Sequence, residues 1–196
     1  MPSDQTILAF DTSAAHCAAA LLRGPDIVVS RAETMTRGQA ERLMPLLQDI
    51  LAEGGVSWAD IDAIGVGTGP GNFTGIRISV SAARGLALGL NKPAIGVSGL
   101  EALAALAPEG RTPAIPAPRE HVYLQAPDGT PQLMTQEQAE SLCALFLCDD
   151  ANAVVRAIAR IASERVDLVS GPPAPLYVRA ADAAPSRDTP PPLLDP

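Results

Sequence analysis

Short apolar runs separated by turn residues open the chain. Residues 6–10 predict a first strand, which stops at Asp11-Thr12-Ser13. Residues 15–23 are small and apolar and predict a second strand. Gly24-Pro25-Asp26 is a turn signal, and residues 27–33 predict a third strand. The period then changes. Over residues 39–53, Leu43, Leu47 and Ile50 recur at spacings of four and three, flanked by Leu46 and Leu51, so this stretch predicts an amphipathic helix. Gly54-Gly55 ends it, and Pro45 inside it predicts a kink or a loosened first turn. Residues 61–66 form an apolar run that predicts a buried fourth strand. A second helical pattern covers residues 74–90. There Ile76, Val80, Ala83, Ala87 and Leu90 make one apolar seam, Ser81, Gly85 and Gly89 share a small-residue face, and Arg77 and Arg84 share a third. Asn91-Lys92-Pro93 ends the helix. Residues 94–97 predict a fifth strand, and Ser98 with Glu101 makes a capping box for a short helix reaching to about residue 107.

From Pro108 the composition shifts to Pro and Ala and the periodicity fades. Residues 114–115 and 122–125 are strand candidates. Residues 135–145 predict a helix started by Thr135 with Gln138, residues 146–148 a strand, and residues 152–164 a helix capped by Asn152. Pro172-Pro173-Ala174-Pro175 and Pro190-Pro191-Pro192 predict extended or disordered chain. The expected division is a compact α/β unit over residues 1–107, carrying both long helices, and a smaller, less regular lobe over residues 108–196.

Composition narrows the classes. Of 196 residues, 47% are hydrophobic and 3% aromatic, so the core is built from Ala, Leu, Val and Ile. The net charge of −8 argues against strong independent binding to nucleic acid, which needs clustered cations. Lys92 is the only lysine. Cys17, Cys143 and Cys148 are odd in number and lack Cys-x-x-Cys spacing, which predicts a reduced, cytoplasmic chain. The first residues lack a signal-peptide pattern, and no apolar run is long enough to span a bilayer.

Two stretches carry candidate chemistry. The loop between the fourth strand and the second long helix holds five glycines, Gly65, Gly67, Gly69, Gly71 and Gly75, with Pro70, Asn72, Phe73, Thr74 and Arg77. Such a loop turns tightly through positive-φ positions. Thr74 is placed to cap the helix, and free N–H groups there would seat an anion or a partner's acidic group. A ligand-free connector fits the same residues. No Gly-Lys-Ser/Thr closes the loop, so it is not a Walker sequence. The second stretch, Asp11-Thr12-Ser13, suits either a plain turn or a phosphate-binding corner. His16 and His121 fall in no metal-binding motif. No nucleophile–His–acid set is apparent, so neither a metal site nor a catalytic residue is expected.

The chain resembles the TsaB (YeaZ) family in three places: Ile7-Leu8-Ala9-Phe10-Asp11-Thr12-Ser13; the run from Val66 through Gly69-Pro70-Gly71-Asn72-Phe73-Thr74-Gly75-Ile76-Arg77 to Gly85-Leu86-Ala87; and Gly96-Val97-Ser98-Gly99-Leu100-Glu101-Ala102-Leu103. Pro175-Leu176-Tyr177-Val178-Arg179 resembles the family's C-terminal segment. It departs from the family at Gly38-Gln39, where His-Ser is usual, and at Cys148-Asp149-Asp150, where a Gly-Asp-Gly-like turn is usual. The resemblance implies an α/β, actin-like ATPase fold (ASKHA, ribonuclease H-like) in two lobes, the second small and abridged. It implies a non-catalytic scaffold that binds and activates TsaD, which transfers threonylcarbamoyl to adenosine next to the anticodon in tRNA, with TsaE joining the complex. Asp11, Thr12 and Ser13 would be a vestigial phosphate loop. Leu43, Leu47 and Ile50 with Ile76, Val80, Ala83, Arg84 and Ala87 would meet TsaD in a four-helix bundle. Alone, the chain would form a homodimer. It would touch tRNA only indirectly, avoid membranes and need no cofactor of its own, a nucleotide at the complex interface being left open. The alternative, an active ATP-dependent kinase or ATPase of the actin-like superfamily, rests on Asp11-Thr12-Ser13.

Overall fold

The structure, a computed structural model, describes residues 4–125, 129–168 and 171–178. Arg179 and the Pro190-Pro191-Pro192 run lie outside them. Strands β1 (Thr6–Asp11), β2 (His16–Arg23) and β3 (Asp26–Thr34) form an antiparallel meander. Strand β4 (Ala63–Gly67) pairs parallel with β1, and β5 (Ala94–Val97) pairs parallel with β4. The sheet order is β3-β2-β1-β4-β5, the ribonuclease H-like layout of the actin-like ATPase fold.

Helices cover both faces of this sheet, which explains why its central strands are almost uniformly apolar. Helices α1 (Gln39–Glu53) and α2 (Phe73–Leu90) lie on one side. There Leu8, Phe10, Cys17, Ala19 and Leu21 of the strands meet Leu43, Leu46, Leu47, Ile50 and Ala83 of the helices. The alternate residues, Ile7, Ala9, Ala18, Ala20 and Leu22, face the other side and meet α5 (Ala151–Glu164) through Val155, Ile158, Ala159 and Ala162. A side chain at Gly65 would press into Ala162, so this glycine sets how closely α5 sits. The sequence division at residue 108 assigns α5 to the second lobe; the helix packs on the first sheet.

The interface expected from the apolar seams is corrected here. Leu43, Leu47, Ile50, Ile76, Val80 and Ala83 are buried within the chain itself. The physical reason is the sheet. Its wide apolar face needs both seams for cover, so neither is left for a partner. Ala87 is half-buried against the same core, and Arg84 stays exposed. Helix α1 continues through Pro45, which stands on the solvent side.

The rest of the chain forms a second sheet. Strands β6 (Thr112–Ala117), β7 (His121–Gln125), β8 (Pro131–Thr135) and β9 (Leu145–Phe146) run in the order β8-β7-β6-β9. Its small core is Ala114, Val122, Leu124 and Ala139. Strands β6 and β7 join through a three-residue loop, Pro118, Arg119 and Glu120, whose last two residues take positive φ (61° and 55°). Two short helices complete the fold, α3 (Gly99–Ala104) and α4 (Gln136–Leu142). Both begin at the expected capping boxes, Ser98 with Glu101 and Thr135 with Gln138. Helix α5 is capped by Asp150, whose carboxylate takes the Ala153 N–H, and not by Asn152.

Candidate functional site

The chain turns back after β1 at the Asp-Thr-Ser corner, and the glycine loop leaves β4 directly beside it. Three glycines make this approach possible. A side chain at Gly67 would overlap the Asp11 carboxylate, one at Gly71 would overlap the Ser13 carbonyl, and one at Gly75 would overlap the Thr12 carbonyl. The Gly69–Pro70 bond is cis. Backbone and side chains then lock the two segments together. The Asn72 N–H donates to the Ser13 carbonyl at 2.7 Å, and the Thr12 hydroxyl donates to the Gly75 carbonyl at 2.7 Å.

Helix α2 is capped by Asn72, whose side-chain oxygen accepts the Gly75 N–H at 2.8 Å. Thr74, the expected cap, is the second residue of the helix. Two donors counted toward an anion seat are therefore already used inside the chain. The acidic end of the corner is similarly engaged. Asp11, only 3% exposed, accepts from the Ser13 N–H (3.2 Å), the Ser13 hydroxyl (2.9 Å) and His16 Nε2 (2.8 Å). Sequence reasoning found His16 in no metal-binding motif and missed this pair. The hairpin itself held the signal, because the antiparallel return of β2 beside β1 sets Ala18 opposite Asp11 and brings His16 back to the corner.

Residues 173–177 pass over the glycine loop. The Leu176 N–H donates to the Thr68 carbonyl at 2.8 Å, and Pro173 is buried against Gly96. The segment ends at a cluster on α2. Arg77 lies 3.7 Å above the Phe73 ring, and its Nε–H donates to the Tyr177 hydroxyl at 2.9 Å. The two rings are 5.0 Å apart. Phe73 and Arg77 were read as parts of a loop; they act here as the seat of a C-terminal strap.

Two surfaces bear on function. One is a cleft of about 550 Å³ between the sheets, with Asp11, His16 and Gly67 at the end of the first sheet and Ile115, Leu147 and Val154 among its walls. The other is the outward face of α2. Leu88 is 85% exposed there, and a side chain at Gly85 or Gly89 would meet open space. Met44 of α1 is also exposed. Among the described residues, no group of three or more His, Cys, Asp or Glu is gathered for a metal ion. None of their helices is long and apolar enough to cross a membrane.

The sheet order and the corner between β1 and β2 define a protein of the actin-like ATPase fold. The family model described as "TsaD: tRNA N6-adenosine threonylcarbamoyltransferase" matches residues 31–142, more than half of the chain. The tRNA threonylcarbamoyladenosine biosynthesis protein TsaB of Escherichia coli K12 is 45% identical over 98 residues, which are 50% of this chain and 42% of that protein. The protein of the same name from Haemophilus influenzae is 41% identical over 100 residues, again 50% of this chain and 42% of the relative. These matches span less than half the length of those curated relatives. The solved structure of YeaZ from Pseudomonas aeruginosa superimposes with a TM-score of 0.68 at 28% identity, covering 89% of this chain and 100% of that one. The chain belongs to the TsaB/YeaZ branch of this family.

Proposed function

We propose that the chain is an accessory subunit in tRNA threonylcarbamoyladenosine biosynthesis. In this reading it binds a TsaD-type transferase and activates it, while the partner holds the reacting groups. The observation that carries the reading is the outward face of α2. The helix already buries one apolar seam on its own sheet, yet it presents Leu88 to solvent beside two glycines that leave room for another backbone. Small residues of this kind let helices approach closely, and a large exposed apolar side chain beside them marks a contact surface. The interface is therefore moved from the buried seams to Ser81, Arg84, Gly85, Leu88 and Met44. The same face would pair two copies when the transferase is absent. TsaE would join through the partner, and tRNA would be held chiefly by the transferase, in keeping with the −8 charge here.

The kinase or ATPase alternative has weaker support. The Asp11 carboxylate already accepts from Ser13 and His16, and the Thr12 hydroxyl is spent on Gly75. The test is a reconstituted transfer assay with the TsaD-type transferase of the same cell. The expected result is no ATP turnover or tRNA modification by this chain alone, and transferase activity that rises when it is added. Turnover by the lone chain, or a transferase equally active without it, would overturn the reading.

A further inference from the structure

We propose that the cleft between the two sheets binds a small, uncharged, mostly apolar molecule bearing one hydrogen-bond donor, received by His16. The proposal does not rest on the partner-binding role. The cleft opens at the carboxyl ends of β1 and β4, the position where open α/β sheets hold ligands. Its volume of about 550 Å³ suits a small organic molecule. Its walls include Leu103, Ile115, Pro116, Leu147, Val154 and Ile158.

The polar lining selects the ligand class. No lysine or arginine faces the cleft, while Asp11 and Asp149 do. A phosphate or carboxylate would meet no countercharge and two acidic groups, so an anion is disfavoured. Asp149 is exposed to solvent, and Asp11 is almost fully buried and already accepts three hydrogen bonds, so neither is the receiving group. His16 is. A carboxylate only accepts, so in the neutral ring the nitrogen facing Asp11 at 2.8 Å, Nε2, carries the hydrogen and Nδ1 is the acceptor. Nδ1 has no hydrogen-bond partner among the described residues. It is also absent from the buried polar atoms left unpaired, so it remains accessible. The result is an oriented acceptor on an apolar wall, which a hydroxyl or amide N–H of a neutral ligand would satisfy.

The chain has two histidines, His16 and His121, so long-range proton–nitrogen spectra of the labelled full chain resolve both rings. Benzyl alcohol is the probe. Toluene is its match without the donor, and Mg-ADP stands for a nucleotide. The expected free spectrum shows His16 with Nδ1 unprotonated. Benzyl alcohol shifts that nitrogen saturably, leaves His121 in place and gives proton contacts to the methyls of Leu147, Val154 and Ile158. Toluene binds roughly three- to tenfold more weakly, the worth of one hydrogen bond. Mg-ADP shifts nothing at equal concentration, and Val154→Trp, which fills the cleft, abolishes the alcohol's effect. A protonated Nδ1 would overturn the proposal. So would an unmoved His16 at the solubility limit of the alcohol, equal affinity for toluene, or tighter binding of Mg-ADP. If Val154→Trp does not fold, the methyl contacts in the wild-type chain decide.

Discussion

Exchanging Leu47 for glutamate separates a seam that holds the fold together from one that awaits a partner. Leu47 is fully buried and lies in the cluster with Leu8, Phe10 and Leu21. Removing a buried leucine side chain costs about 2–5 kcal/mol. A carboxylate with no partner at that depth has its pKa raised by up to about 3–5 units and stays neutral in the folded state, so at pH 7 it costs about 1.4 kcal/mol for each unit between its ordinary value of about 4.3 and the pH, about 4 kcal/mol. The sum rivals the whole stability of a domain, about 5–15 kcal/mol. Leu47→Glu should therefore be unfolded at pH 7 by circular dichroism. The sign with pH follows from the raised pKa. The buried acid is neutral when folded, so the charge penalty is absent below the ordinary glutamate value of about 4.3 and grows as pH rises through it. Part of the structure should accordingly return in acid. Leu88→Glu, at a position 85% exposed, should melt within about 0.5 kcal/mol of wild type. A Leu47→Glu chain that melts like wild type at pH 7 would refute the assignment of α1 to the core.

Three further outcomes follow from the packing. Gly75→Ala drives a methyl into the Thr12 carbonyl and should cost about 1–3 kcal/mol in urea unfolding, whereas Gly85→Ala, in open space within α2, should gain about 0.5–1 kcal/mol. Equal effects at the two positions would be inconsistent with the close approach of loop and corner. Cys17 is buried, and that burial pushes its thiol up to about 11, so the native chain should leave Cys17 unmodified by iodoacetamide at pH 8 until denaturant is added. Burial raises the pKa of Glu101, but hydrogen bonds from Ser98 and Arg165 outweigh it and hold the carboxyl below the usual range. Its stabilising contribution is present above the unfolded value and is lost as pH falls through the folded one, so Glu101→Gln should flatten the loss of stability in acid.

The main sheet and its two long helices are legible in the sequence because each apolar run keeps one clear period. The same seams misled about the interface. A period shows that Leu43, Leu47 and Val80 face something apolar, and gives no account of whether that is the chain's own sheet or another molecule. The exposed small-residue face of α2 was visible as Ser81, Gly85 and Gly89; only packing shows that it points outward. Strand β8 escaped notice because Pro131 and Gln132 break the alternation. The Asp11–His16 pair depends on a hairpin register, and the Arg77–Tyr177 contact joins residues 100 positions apart, a distance no local pattern spans.

The central claim is that the outward face of α2 receives a TsaD-type transferase. Calorimetric titration of that transferase into the wild-type chain and into Leu88→Glu tests it most directly. A complex with the wild-type chain, and at least a hundredfold weaker binding by a Leu88→Glu chain of unchanged melting temperature, is the predicted result, about 2.7 kcal/mol of lost affinity. Equal binding by the two chains would contradict it.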